Sequence, residues 1–174
     1  MAKPAITPTG IESPFGEDEL IVSKTDLKGR MTYVNDVFLR VSRYTLKEMI
    51  GAPHSVIRHP EMPRCIFKLL WDTIQAKKEI FAYVVNLARN GDHYWVLAHV
   101  TPTFDAERNV VGYHSNRRRP DAAQLQKAKD LYARLLAEEN RFESRKEGLT
   151  AGVSVLTNLL KERGLGYDEF VFSM

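Results

Sequence analysis

The sequence predicts an α+β fold, a five-stranded antiparallel sheet with short helices on one face and further helices at the C-terminal end. Five short β-type runs are separated by turn residues, and helical spacing of apolar residues appears between the second and third runs. After Pro120 the composition changes to Ala, Lys, Glu and Leu, which favours helices. Strands and helices in separate blocks indicate an antiparallel sheet.

Three segments are expected along the chain. Residues 1–18 are rich in Pro, Gly and small polar residues, which predicts a flexible or extended N-terminal arm or cap. Residues 19–119 contain all five predicted strands and form the central domain. Residues 120–174 form a C-terminal helical extension with an aromatic tail.

The central domain begins with a predicted hairpin. The runs Glu19–Thr25 and Met31–Val34 are joined by Asp26–Arg30, which contains turn-forming residues. A short helix is predicted from Asn35, because the apolar residues that follow it share one face.

The segment Pro53–Pro63 is expected to be a rigid connector that faces a ligand. Its three prolines disfavour a regular helix or a central strand, and it carries two imidazoles, a guanidinium and a carboxylate. Pro63 suits a helix start. The segment Pro63–Gln75 is therefore a predicted helix, with Ile66, Leu70 and Ile74 on its apolar face.

Three more strands are predicted from β-type runs and from the turn signal Asn90-Gly91. They cover Ile80–Leu87, His93–Thr103 and Val110–Asn116. The basic triplet Arg117–Arg119 at the end of the last strand is expected to be a solvated surface, since such triplets usually are.

The C-terminal segment predicts two helices and a docked tail. Asp121 is a plausible N-cap, and a heptad-like spacing follows it, which fits either a homodimer contact or packing on the sheet. The spaced residues are Leu125, Ala128, Tyr132 and Leu135. A second helix is predicted over residues 146–163, and the final aromatic residues are expected to dock on this chain or a partner.

Composition excludes several classes of function. The net charge of +3 and the absence of long basic runs argue against a nucleic-acid surface. The single cysteine, Cys65, precludes an intramolecular disulfide and fits a cytoplasmic location. Neither a signal peptide nor a membrane anchor is expected. No nucleophile and base at a recognisable spacing, metal-binding motif or Gly-rich phosphate loop suggests an enzyme.

Residues from about 19 to 119 also carry short motifs in a family-specific order. Together these motifs resemble the PAS domain, and more narrowly the sensory PAS domain of bacterial aerotaxis receptors. The Arg-His-Pro-acidic-Met-Pro motif, followed by Asn-Gly-Asp-His-Tyr-Trp, is the most specific part of the resemblance. The matching segments are Tyr33–Phe38, Tyr44–Glu48, Gly51–His54, Ile57–Pro63 and Asn90–Val96.

The resemblance implies a PAS domain that binds FAD non-covalently and reports redox or oxygen status to a signalling partner, such as a chemoreceptor or kinase of the chemotaxis machinery. It implies seven residues around the flavin. Carried over by position, these are Asn35, His54, Arg58, His59, Glu61, Trp71 and Asn86.

Some of these residues also have a physical rationale. The planar fork of Arg58 suits a pyrophosphate or the flavin carbonyls. Asn35 and Asn86 each offer a donor and an acceptor, as the edge of an isoalloxazine or adenine ring requires. An imidazole that changes charge near neutral pH gives His54 or His59 a way to respond to reduction of the flavin. Trp71 fits a ligand contact or simply the core.

Three alternatives keep the same fold. A haem would need an axial histidine, which only the connector supplies, because the helix Pro63–Gln75 contains none. A cofactor-free adaptor would use the C-terminal helices for dimerisation or docking. Photochemistry through Cys65 has little support, because the Asn-Cys-Arg-Phe motif of blue-light relatives is absent.

Overall fold

The computed structural model describes residues 6–174, and its central feature is the predicted five-stranded antiparallel sheet. The strand order is β2-β1-β5-β4-β3, and β1 and β2 form the expected hairpin. The strands are β1 Ile21–Thr25, β2 Met31–Val34, β3 Ile80–Leu87, β4 His93–Phe104 and β5 Val110–Arg118. The predicted fold class is confirmed.

Three helices lie between the second and third strands: α1 Asp36–Ser42, α2 Leu46–Met49 and α3 Arg64–Gln75. The connector before α3 has no regular α-helix, but His54–Ile57 forms a short 3₁₀ helix, a detail that the proline pattern did not indicate. The apolar face of α3 is buried as predicted, with Ile66 and Ile74 almost inaccessible to solvent.

The alternation of side chains along each strand gives the sheet two different faces. Val84 and Asn86 of β3, with Ala98 of β4, point to the same side as α3. Tyr83 and Trp95 have the opposite parity, because Trp95 pairs with Val85 rather than with Val84, and they point to the outer face. The two faces are therefore covered by different parts of the chain.

The outer face is covered by α4, Ala122–Glu139. The Tyr83 hydroxyl donates to Gln124 at 3.1 Å, and the rings of Trp95 and Tyr132 lie 5.9 Å apart. Ala128, Tyr132 and Leu135 are buried. Of the two uses that the heptad-like spacing allowed, α4 adopts packing on the sheet of its own chain.

The last two helices are α5, Arg145–Arg163, and α6, Tyr167–Phe172. Helix α5 packs on α3, and α6 lies along β3, the edge strand of the sheet. The Asp168 carboxylate accepts the Phe81 N–H of β3 at 3.3 Å. Phe170 is buried while Phe172 is 56% exposed, so the aromatic tail docks on its own chain only in part.

Glu139, the last residue of α4, joins the C-terminal helices to α3. Its carboxylate accepts the backbone N–H groups of Arg64 at 3.0 Å and Cys65 at 2.7 Å, and the Arg64 Nε at 2.9 Å. These are first-turn N–H groups of α3, which no side chain of its own segment caps. Gly148 of α5 allows close approach here, since an added Cβ would lie 2.2 Å from the Glu139 carbonyl oxygen.

The described part of the N-terminal segment runs beside the turn between β3 and β4. The Thr9 N–H donates to the Gly91 carbonyl, the Ser13 N–H donates to the His93 carbonyl, and Phe15 is buried. Residues 1–5 of the predicted arm lie outside the described residues, and the division at 18 and 119 stays a prediction.

Within residues 6–174, every helix is too short or too polar to cross a lipid bilayer.

We expect that Glu139→Ala lowers the free energy of unfolding by about 3 kcal/mol, because the partly buried Arg64 guanidinium and two helix-end N–H groups lose their acceptor. Chemical denaturation measures the change. Glu138→Ala is the matched control, because Glu138 pairs with the exposed Arg141 and such surface pairs contribute less than about 1 kcal/mol. Equal losses in the two variants would contradict the role of Glu139.

The same contact is expected to depend on pH. Burial by itself raises the pKa of Glu139, but hydrogen bonds from Cys65 and Arg64 outweigh it and hold the pKa below the ordinary value of 4.5. A lowered pKa in the folded state means that the stabilisation is complete above 4.5 and is lost as the pH falls through the folded-state pKa. The stability difference between wild type and Glu139→Ala should therefore shrink on acidification. A constant difference down to acid unfolding would contradict this.

Candidate functional site

A cavity of about 540 Å³ lies between α3 and the inner face of the sheet. Its volume is in the range of small-molecule sites, and most of its wall is apolar. Helix α5 contributes Leu149, so the C-terminal segment also reaches the cavity. The apolar and aromatic wall consists of Phe67, Leu70, Trp71, Ile74, Val84, Ala98, Val100, Tyr113 and Leu149.

Among residues 6–174, three buried polar groups of the cavity wall lack a hydrogen-bond partner. They are the Asn86 Nδ2, the Ser115 Oγ and the Arg117 Nη1, on residues that are 2%, 7% and 3% exposed. Buried polar atoms are nearly always paired, because desolvation without a hydrogen bond costs about 1–3 kcal/mol for each group. Three unpaired groups on one cavity wall indicate a polar ligand.

Arg117 is fixed at the cavity wall by two neighbours. Its Nη2 donates to the Ser23 Oγ of β1 at 2.8 Å and to the His54 Nε2 of the 3₁₀ helix at 2.6 Å. Because a guanidinium only donates, the His54 Nε2 accepts, and the proton of the neutral imidazole is on Nδ1. Burial lowers the pKa of Arg117 to about 10, which leaves it protonated at neutral pH.

The environment of His54 differs from the one expected from the sequence. Burial, and next the charge of Arg117, lower the pKa of His54 to about 3. The imidazole is therefore neutral throughout the physiological range, and the expected change of its charge near neutral pH is wrong for this environment. Arg117 supplies the fixed charge at this position instead.

The charged residues that line the cavity are all cationic: Lys28, Arg58, Arg64, Lys68 and Arg117. Lys68 pairs with Asp72, and Arg64 pairs with Glu139. Within residues 6–174, no Asp or Glu lines this cavity. The cavity is thus electropositive and suited to an anionic ligand.

Arg58 lies at the more exposed side of the cavity. Its guanidinium carbon is 4.3 Å from the centre of the Phe67 ring, and burial lowers its pKa. Arg58 also lines a second, more open pocket beside the first, together with His59, Glu139 and Arg145. Its fork of donors is therefore accessible from both spaces.

Four of the seven predicted site residues meet at the cavity: His54, Arg58, Trp71 and Asn86. Trp71 contacts Tyr113 edge to face at 5.5 Å between ring centres. The backbone of Gly29 packs closely on Trp71, since a Cβ added at Gly29 would lie only 3.1 Å from the indole ring. Trp71 therefore contributes to the wall and to the packing around it.

Asn35 does not line the cavity. Its Oδ1 accepts the N–H groups of Phe38 and Val22, each at 3.0 Å, and its Nδ2 donates to the Leu20 carbonyl at 2.8 Å. Both ends of the amide thus bind backbone groups, and the residue caps α1 and fastens it to β1.

His59 and Glu61 also lie away from the cavity. The His59 Nδ1 accepts the Glu61 N–H at 3.2 Å, and the imidazole lies edge-on to His93, 6.3 Å between ring centres. Burial lowers the pKa of His59. His59 lines the second pocket.

Arg117, the most buried cation of the site, was not predicted as a site residue from the sequence. Arg117 was grouped with Arg118 and Arg119 as a solvated surface, which is wrong for Arg117, while the other two are exposed. The alternation along β5 was the available signal, because it puts Tyr113, Ser115 and Arg117 on one face. Ser23, missed as well, faces the same space from β1.

Cys65 is fully buried in α3 and does not line the cavity. Burial, and next the neighbouring Glu139, raise the pKa of the thiol to about 12, so it is not a reactive thiolate. Among the described residues, no cluster of three or more His, Cys, Asp or Glu side chains has the arrangement of a metal site.

Residues 31–117 match the protein family described as PAS fold, and this chain belongs to that family. The aerotaxis receptor of Escherichia coli (strain K12) is 38% identical over 125 residues, which are 72% of this chain and 24% of the receptor. The nitrogen fixation regulatory protein of Klebsiella pneumoniae is 26% identical over 92 residues, 53% of this chain and 19% of that protein. The chain thus spans a quarter or less of these relatives.

Solved structures show the same fold. The dark structure of the blue-light photoreceptor Aureochrome1 LOV superposes with a TM-score of 0.57 at 20% identity, over 63% of this chain and 82% of that one. A light–oxygen–voltage domain studied with a flavin analogue gives 0.55 at 21% identity, over 71% and 87% of the two chains. These likenesses establish the architecture of the sheet and its helices.

We expect Asn35→Ala to lower the free energy of unfolding by about 1–2 kcal/mol, because helix α1 loses its cap and β1 loses a side-chain bridge. Urea denaturation measures the loss. Asn158→Ala is the control, since Asn158 is exposed on α5 and its replacement should leave stability nearly unchanged or slightly raised. Unchanged stability in Asn35→Ala would contradict the role as a cap.

Proposed function

We propose that this chain is a cytoplasmic, flavin-binding PAS sensor that holds FAD non-covalently and reports redox or oxygen status to a signalling partner. Its role is binding and signalling rather than catalysis. The partner class is a chemoreceptor or a kinase, in keeping with the name of the relative that is an aerotaxis receptor. The chain acts as a homodimer in this proposal.

One observation carries the proposal: a cavity of about 540 Å³ whose otherwise apolar wall presents unpaired polar atoms of Asn86, Ser115 and Arg117. A planar ring with donors and acceptors along one edge satisfies these atoms and fills the apolar space. The isoalloxazine ring has this combination. Trp71 and Phe67 supply aromatic surface beside it.

The cationic lining supports a phosphate-bearing cofactor. Arg58 can donate two parallel hydrogen bonds to a pyrophosphate, and among residues 6–174 no Asp or Glu lines the cavity to compete for it. The second pocket, which shares Ser55, Arg58 and Arg64 with the first, offers space for the rest of a dinucleotide. A bound flavin supplies reversible electron transfer, and the protein supplies orientation and charge.

The signal leaves through the C-terminal helices in this proposal. Helix α3 forms one wall of the cavity, and its first turn is held by Glu139 at the end of α4. Leu149 of α5 touches the same cavity. A shift of α3 on a change of cofactor state therefore reaches both α4 and α5, which can pass it to a partner.

A haem sensor fits the cavity less well. His54 is the connector histidine that lines the cavity, and its Nε2 already accepts a hydrogen bond from Arg117. Axial ligation through that nitrogen would leave the buried guanidinium with one partner fewer. The cofactor-free adaptor, in turn, leaves the three polar atoms unpaired.

The first experiment is a visible absorption spectrum of the purified chain, followed by heat release and chromatography of any chromophore. Flavin bands with FAD in the supernatant are the expected result. FMN in the supernatant would restrict the proposal to a mononucleotide, and a Soret band would replace it with the haem sensor. A colourless protein that also fails to take up added FAD would favour the adaptor.

We predict that Arg58→Ala strongly lowers FAD retention through gel filtration, because the cofactor loses a bidentate, charge-assisted contact worth about 1.5–3 kcal/mol. The ratio of flavin to protein absorbance measures retention. Lys47→Ala is the control, since Lys47 is exposed on α2 and remote from the cavity lining. Equal retention in both variants would remove Arg58 from the site.

A further inference from the structure

Arg117 is a buried cation with unfulfilled hydrogen-bonding capacity. Its Nη2 is used by Ser23 and His54, while its Nη1 has no partner. Removing a charge from water is costly unless an acceptor or an opposite charge replaces the solvent. Within residues 6–174, no carboxylate shares the cavity wall with it. The missing counterpart is therefore a group that the ligand brings.

The groups that face Arg117 from each neighbouring element are all neutral. His54 is neutral because its pKa is lowered to about 3, and burial raises the pKa of Tyr94, so that its phenol stays protonated. Ser23 carries no charge. The Phe38 ring of α1 offers only a weak cation–π contact, with 5.7 Å between its centre and the guanidinium carbon. Within the described part of the chain, none of these neighbours carries a charge that compensates that of Arg117.

We propose that Arg117 binds the acceptor edge of the flavin ring and holds the negative charge that reduction places on that ring. This inference rests on the proposed function. Two electrons from an external donor and one proton from solvent enter the ring, and the ring keeps one negative charge. The second proton is not taken up, because the guanidinium already compensates that charge.

The two arginines of the cavity then have different tasks. Arg117 is nearly inaccessible to solvent, so it meets the ring, while the half-buried Arg58 at the more exposed side meets the phosphates. Riboflavin separates the two tasks, because it has the ring but no phosphate. Arg117→Gln should weaken riboflavin and FAD alike, each by about tenfold or more. Arg58→Gln should weaken FAD much more than riboflavin.

The decisive test is a redox titration of the full chain loaded with FAD, with dithionite as the electron donor, at several pH values from neutral to clearly acidic, because a free reduced flavin itself loses a proton near neutral pH. Wild type should take up one proton per two electrons over the whole range. Arg117→Gln should have a more negative midpoint potential and take up two protons at the acid end of the range. Arg117→Lys, which keeps a cation, should shift the potential less than Arg117→Gln does.

Arg118→Gln is the matched control, since Arg118 is the next residue of β5, exposed and outside the cavity lining. It should behave as wild type. Uptake of two protons per two electrons by the wild type at the acid end of the pH range overturns the inference even if Arg117→Gln fails to fold or to bind. Identical potentials in all variants overturn it as well. Either of these two results overturns the role of Arg117 while flavin binding still stands. A wild type that binds no flavin would instead overturn the proposed function.

Discussion

The contact between Glu139 and the first turn of α3 connects the two halves of this molecule. One carboxylate satisfies N–H groups at the start of a helix that lies some 75 positions earlier in the chain. Without it, α3 would begin with unpaired donors next to a proline that cannot cap them. The wall of the cavity and the position of the C-terminal helices therefore depend on the same few hydrogen bonds.

The cavity lowers the stability of the folded chain when no ligand pairs with its buried polar groups. A buried guanidinium without an acid, and two further unpaired polar atoms, destabilise the ligand-free chain. A ligand that pairs with them binds the folded state only, and so it raises the stability of the whole molecule. Under the proposed function, ligand binding and stability are linked, because the groups assigned to the ligand are buried polar groups that lack a partner among the described residues.

The fold could be predicted because its signals are local. The turn Asp26–Arg30, the Asn90-Gly91 pair and the apolar face of α3 each specify an element within a few residues. The connector was similarly predictable, since three prolines limit its backbone. The 3₁₀ helix His54–Ile57 was not predicted, because its short hydrogen-bonded turn has no distinct sequence pattern. The short helix α6 was not predicted either, since the sequence analysis gave those residues only as a docked tail.

The site was predictable only in part, because its electrostatics arise from contacts distant in sequence. His54 has an unremarkable local sequence, and its low pKa comes from burial and from Arg117, which is 63 residues away. Arg117 was misjudged because three consecutive arginines were treated as one group, although the strand turns successive side chains to opposite faces. The role of Glu139 could not be predicted, since no sequence pattern near it indicates that its carboxylate caps another helix.

Helix α6 also covers part of the open edge of the sheet. Strand β3 is an eight-residue edge strand rich in Val, Tyr and Phe, a type that readily adds strands from other molecules. The Asp168 carboxylate accepts a hydrogen bond from the Phe81 N–H, and Phe172 packs on the Phe81 ring, with 4.7 Å between ring centres. The six-residue helix α6 thus covers part of this edge, and a shortened version that ends before Tyr167 would expose it.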